Sequence, residues 1–121
     1  MPDANNCTAL VISCIDYRFI SSCRDYLVKL GIKDRYDLLT TPGASISIQK
    51  IKEGIKTSLK VHVPNEVYIF DHDDCAVYGK NNSEERHIQN LKKAKEVINK
   101  IQNGLKINTY IVKFNKVKQI N

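Results

Sequence analysis

The sequence has no apolar run approaching the roughly 20 residues a bilayer-spanning helix needs, so no membrane segment is expected. Its opening residues, MPDANN, are polar and lack a basic stretch followed by an apolar one, so a signal peptide is not expected either. Tryptophan is absent and glycine and proline are sparse, with 5 and 3 copies, and there is no internal repeat, linker or low-complexity segment. These absences leave residues 1–121 as a single domain, long enough for one core but not two. There is no dense arginine block. The net charge of +6 comes mostly from lysines spread along helical stretches and the C-terminal tail, which reads as a solvated surface. Neither nucleic acid nor a membrane is expected as a partner.

What is present points elsewhere. Hydrophobic residues make up 42%, enough to exclude a disordered chain. Four cysteines stand at positions 7, 14, 23 and 75. Without an export signal, and with length enough to fold without covalent staples, these read as reduced thiols available to a metal in a cytoplasmic protein.

Residues 7–14 (CTALVISC), 35–41 (RYDLLTT) and 65–71 (NEVYIFD) read as apolar strands. Residues 108–115 (NTYIVKFN) alternate more and predict a strand nearer an edge. Helical spacing links Ile20, Cys23, Leu27 and Leu30, with Gly31 as the stop. It links Ile48, Ile51, Ile55 and Leu59, although Gly54 inside that helix costs about 1 kcal/mol relative to alanine. A third stripe runs Ile88, Leu91, Ala94, Ile98, Ile101 and Leu105, with Ser83 as its cap and Glu84 and Glu85 in the first turn. The alternation predicts an α/β fold: a mostly parallel four-stranded sheet with helices on both faces. In such sheets ligands bind beyond the carboxyl ends of the strands. Cys14 ends the first strand and His72 the third, so adjacent strands would bring them into one crevice.

Two thiolates and an imidazole suit zinc, and three protein ligands leave a fourth position for water. Cys14, His72 and Cys75 supply that set, the last two as an H-x-x-C pair. Asp16 and Arg18 come after Cys14 at strand-like period two and are expected on its face. There the guanidinium would compete with zinc for the carboxylate and keep the fourth position open. Asp71, Asp73 and Asp74 crowd His72, and one of them is a candidate to orient its second ring nitrogen. Cys23 lies on an apolar helix face and reads as a core residue, Cys7 as a bystander, and His62 and His87 as surface residues. Tyr17, Tyr68 and Tyr78 suit either a pocket lining or the core.

These residues resemble the β-class carbonic anhydrases. CIDYR (14–18) matches that family's C-x-D-x-R signature, and HDDC (72–75) its H-x-x-C, with 58 residues between Cys14 and His72. The resemblance covers roughly residues 8–114. It implies Cys14, His72 and Cys75 as zinc ligands, Asp16 and Arg18 as the catalytic dyad, and TTPGAS (40–45) as the loop beside the site. In that loop the backbone N–H of Gly43 would face an anionic substrate. The implied reaction is reversible hydration of carbon dioxide to bicarbonate by zinc-bound hydroxide, in a homodimer or higher homo-oligomer. The alternatives are a zinc-binding domain without turnover, or a hydrolase of carbon disulfide or carbonyl sulfide. Tyr17 stands where the family has serine and Ala76 where it has glycine, and TTPGAS keeps only part of Arg-Asn-Ala-Gly. The stretch before Cys14 is too short for the family's helical arm and holds no counterpart of its substrate glutamine.

Overall fold

The computed structural model describes residues 5–120. The elements run β1 (Ala9–Ser13), α1 (Ile20–Lys29), β2 (Tyr36–Thr40), α2 (Lys52–Val61), β3 (Glu66–His72), α3 (Glu84–Ile101), β4 (Lys106–Val112) and β5 (Val117–Gln119). Short 3-10 segments at Tyr17–Phe19, Ala44–Ile51 and Ala76–Asn81 lead from strands toward the next helices. The sheet order is β2-β1-β3-β4-β5. The first four strands are mutually parallel, and β5 returns antiparallel along β4.

The expected mixed architecture is therefore present with five strands rather than four. β4, expected nearer an edge, lies next to the edge strand β5, and six of the seven β4 residues are buried. Asn108 and Thr109, which give β4 its alternating look, are 7% and 1% exposed, and Asn108 Nδ2 donates to the Val67 carbonyl.

Both faces of the sheet are covered, as near-continuous apolar strands require. On one side Leu10, Ile12, Val67, Ile69 and Ile111 meet Ile55 and Leu59 of α2 and Leu91, Ala94 and Ile98 of α3. On the other, Val11, Phe70 and Tyr110 meet Leu27 of α1, with Cys23 packed against that cluster. Each large aliphatic or aromatic side chain buried this way contributes about 1.5–3 kcal/mol.

The helix limits reflect local chemistry. The Ser83 hydroxyl accepts the Arg86 N–H and caps α3, and the chain leaves α1 through Gly31 at φ +80°. The second helical stretch starts earlier than its spacing suggests. It begins as a 3-10 segment at Ala44, kinks at Ser47 and becomes α-helical only at Lys52. Gly54 has a packing reason: a Cβ there would lie 3.0 Å from Leu39 Cδ2 of β2.

The topology places the site. From β1 the chain moves outward to β2, then crosses back to β3 on the other side of β1. That reversal creates a crevice at the carboxyl ends of β1 and β3. Ser13 pairs with Phe70, so the residues just beyond them, Cys14 and the His72–Cys75 turn, emerge side by side.

Candidate metal centre

At this crevice Cys14, His72 and Cys75 come together, with one potential ligand atom from each lying within 4.8 Å of the others. All three are buried, at 9%, 3% and 3% exposure.

The His72 ring is fixed by two contacts. Its Nδ1 is 2.7 Å from the Asp73 carbonyl, which makes Nδ1 the protonated nitrogen and leaves Nε2 as a lone-pair donor. Phe19 stacks on the ring, with centroids 4.3 Å apart. Among the described residues, Nε2 is the one buried side-chain nitrogen or oxygen without a hydrogen-bond partner. An orphaned buried acceptor beside two sulfurs is costly unless a cation completes it, so the donor set fits zinc. One of the three neighbouring aspartates does orient His72, but through its backbone carbonyl.

Cys14 is held toward the thiolate. The Cys75 thiol is the main cause, opposed by burial and helped by His72 and by the Gly43 N–H at 3.2 Å. Cys75 is pushed the other way, because it shares its proton with Cys14 and is buried. Burial, the largest influence on His72, disfavours its charged form, yet Cys14, the Asp73 carbonyl and Asp16 together raise its pKa.

Gly43 sits at φ +82°, and a Cβ there would overlap Ile46 Cγ2 and lie 3.1 Å from Val77 Cγ1. Only glycine fits this turn. Its backbone N–H donates to the Cys14 sulfur at 3.2 Å.

Asp16 and Arg18 meet, but not by strand alternation. β1 ends at Ser13, and Asp16 caps the 3-10 turn Tyr17–Phe19 by accepting the Arg18 N–H. Arg18 Nε and Nη2 donate to the two oxygens of the same carboxylate, at 3.1 Å to Oδ1 and 2.7 Å to Oδ2. Arg18 also bridges to Asp74, donating to its side chain and to its carbonyl, each at 3.0 Å. The guanidinium thus ties the end of β1 to the His72–Cys75 turn. Arg18's hydrogen bonds are the main reason the Asp16 carboxyl is held at about 2. Asp16 Oδ2 stands 3.7 Å from His72 Nε2, beyond hydrogen-bond reach.

A cleft of about 500 Å³ opens over these groups. Asp16 and Arg18 line one part, and Ile15, Pro42, Ala76 and Val77 give it apolar walls. Tyr17 stands at its rim, 82% exposed, while Tyr68 and Tyr78 are core residues.

Behind the ligands lies a network the sequence reading missed. Asp71, 1% exposed, accepts the Ser45 N–H and hydroxyl, the Tyr78 hydroxyl and His87 Nδ1, the last at 2.7 Å. His87 is 1% exposed and so is not a surface residue. Its Nε2 is 2.9 Å from the Asn82 side-chain amide. With the Asn82 amide nitrogen on His87, the Asn82 oxygen accepts the N–H groups of Asp74 and Cys75. Buried Asp71 thus reaches, through His87 and Asn82, the backbone that presents Cys75. The other histidine assigned to the surface, His62, is partly exposed and paired with Asp37.

The chain is 28% identical over 127 residues to an uncharacterized protein of Rickettsia bellii, covering 89% of this chain and 77% of that one. It is 27% identical to an uncharacterized protein of Rickettsia conorii, covering 89% and 68%. Its fold matches a carbonic anhydrase from Glaciozyma antarctica with a TM-score of 0.68 at 14% identity, over 99% of this chain and 83% of that one. It matches the β-carbonic anhydrase CafA of Aspergillus fumigatus with a TM-score of 0.56 at 16% identity, over 96% and 76%. The family described as "Putative carbonic anhydrase" matches residues 4–121, so the chain belongs to that family.

Proposed function

We propose that this chain is a zinc enzyme that reversibly hydrates carbon dioxide to bicarbonate. The observation that carries the reading is His72 Nε2, buried and unpartnered beside two cysteine sulfurs, with a carboxylate 3.7 Å away that an arginine holds aside. Cys14, His72 and Cys75 are the residues that would hold the ion. When bound, zinc supplies Lewis acidity and a nucleophile at neutral pH.

The chain's own residues do the rest. Gly43 donates to Cys14 and sets that ligand's direction. Arg18 keeps Asp16 ionised and turned from the ligands. Asp16 then serves as a hydrogen-bond acceptor that orients the attacking group. Ile15, Ala76 and Val77 give a small apolar substrate an apolar wall. The volume of about 500 Å³ exceeds what a triatomic molecule needs, so carbonyl sulfide and carbon disulfide fit as alternative substrates of the same centre.

The reading treats residues 1–121 as one domain in the cytoplasm, a location suited to four free cysteines. Among the described residues, no helix is long and apolar enough to cross a membrane. Exposed Ile15, Tyr17 and Val77 around the cleft favour a homodimer or higher homo-oligomer. Light scattering that shows a monomer at assay concentration refutes that assembly.

Stopped-flow hydration combined with metal analysis tests the function. The wild type should carry tightly bound zinc and hydrate carbon dioxide. Cys75→Ser should lose that zinc and the activity, while Cys23→Ser keeps both. Zinc-loaded wild type inactive from about pH 6 to 9 overturns the enzyme. Full zinc in Cys75→Ser overturns the ligand set.

A further inference from the structure

At the opposite end of the sheet, three side chains with no part in the Cys14–His72–Cys75 centre converge. Cys7 lies just before β1, Asp37 is the second residue of β2, and His62 caps the end of α2. One potential ligand atom from each lies within 4.8 Å of the others. The Cys7 N–H donates to the His62 carbonyl at 2.8 Å, which fixes the segment before β1 against the end of α2. Both Asp37 oxygens are 2.9 Å from His62 Nδ1. Ser58, one turn earlier on α2, donates to Asp37 Oδ2 at 2.6 Å. All three residues are partly buried, sheltered yet open to an entering ion.

We propose that Cys7, Asp37 and His62 form a second cation site, for a borderline divalent metal such as zinc. A sulfur, an imidazole nitrogen and one carboxylate oxygen match zinc or cobalt and disfavour magnesium and calcium, which take oxygen ligands. Three protein ligands leave a position for water. Ser58 orients the carboxylate, the outer support that ligating carboxylates commonly have.

Binding balances simply. The Cys7 S–H bond breaks, a metal–sulfur bond forms, and one proton goes to solvent. A proton on His62 Nδ1 moves to Nε2, and Nδ1 turns its lone pair to the ion. The Asp37–His62 contact alone explains the histidine and the serine. The Cys7 thiol donates to the Ala9 carbonyl at 3.3 Å, a weak bond that metal binding would replace, so the cysteine separates the two readings. The occupied site clamps the segment before β1 to the edge strand β2 and to α2, remote from the first centre.

The test is a Zn²⁺ titration of the chelator-treated full chain, with bound metal counted after equilibrium dialysis and folding checked by circular dichroism. Wild type should take two equivalents, and Cys7→Ser and His62→Ala one each. Cys75→Ser should still take one. Ser58→Ala should keep the second equivalent with affinity lowered about 10- to 100-fold. If His62→Ala does not fold, Cys7→Ser, nearly identical in size, decides. Two equivalents in Cys7→Ser overturn the proposal, as does a single wild-type equivalent that vanishes in Cys75→Ser. Failure of the first centre looks different: a single wild-type equivalent that survives Cys75→Ser and vanishes in Cys7→Ser.

Discussion

Replacing Asp71 with asparagine tests how much of the site's rigidity comes from behind it. Asp71 Oδ2 receives three donors, Ser45 Oγ at 2.6 Å, His87 Nδ1 at 2.7 Å and Tyr78 OH at 3.1 Å, and Oδ1 receives the Ser45 N–H at 3.1 Å. Asparagine keeps the shape but has one acceptor oxygen. Its better orientation leaves that oxygen with the three donors and turns its NH₂ toward the Ser45 N–H. The Ser45 N–H is then unpaired, at about 1–3 kcal/mol, and the NH₂ that faces it is a second buried donor without an acceptor. The three remaining bonds lose charge assistance, together about 1–3 kcal/mol more. Relief from burying a charge offsets part of this. The net loss is about 2–4 kcal/mol, a large share of the roughly 5–15 kcal/mol that holds a domain together. Urea unfolding of the chelator-treated protein, followed by circular dichroism, should show the midpoint falling by about 1–4 M for an m-value near 1–2 kcal/mol/M. Ser45 and Tyr78 sit two residues from Gly43 and three from Cys75, so zinc affinity should also fall, by about tenfold. A stability change within about 0.5 kcal/mol, together with unchanged zinc affinity, refutes the reasoning.

Two further outcomes rest on single residues. Arg18→Ala should keep its zinc but lose hydration by about 100-fold or more, because Asp16 is then free to close the 3.7 Å gap toward the ligands; a wild-type rate discards the gate. Burial, with the Cys14 charge adding to it, pushes the Cys23 thiol from 9.0 up to about 12. Its thiolate fraction near pH 8 is then roughly a thousandfold below that of an ordinary cysteine, and iodoacetamide should label it correspondingly slowly by mass spectrometry; labelling at the ordinary rate refutes the burial argument.

The parts legible in the sequence were those written in local patterns. Apolar runs located the first four strands, and their alternation with helical stripes gave the parallel core. The convergence of Cys14, His72 and Cys75 was legible because two short motifs carry them and each ends a strand. β5 was not, because three residues with one partly buried side chain make no pattern, and its pairing with β4 alone creates it. β4 does lie next to the sheet edge, but Asn108 and Thr109, which look like exposed positions, are both covered. His87 was misplaced by one helical position. The buried stripe of α3 runs His87, Leu91, Ala94 and Ile98, at steps of 4, 3 and 4, whereas Ile88 is 38% exposed. That stripe could have been found by allowing a histidine in it, but its Asp71 partner, 16 residues away across a loop, could not. Asp16 and Arg18 were paired correctly for the wrong reason, since a capped turn joins them.

The pairing of β1 with β3 makes the metal centre sensitive to errors of assembly. Parallel strands slide past one another in steps of about 3.3 Å, and each step turns alternate side chains to the opposite face. The three candidate ligand atoms fit within 4.8 Å, and the β1–β3 register that aligns Ser13 with Phe70 sets Cys14 beside the other two, with Arg18 bridging to Asp74 across the same gap. A chain that pairs one residue out of step separates Cys14 from His72 and Cys75 and cannot assemble all three. An ion held by this trio would therefore report correct strand pairing and select, among chains still finding their alignment, those that have reached it.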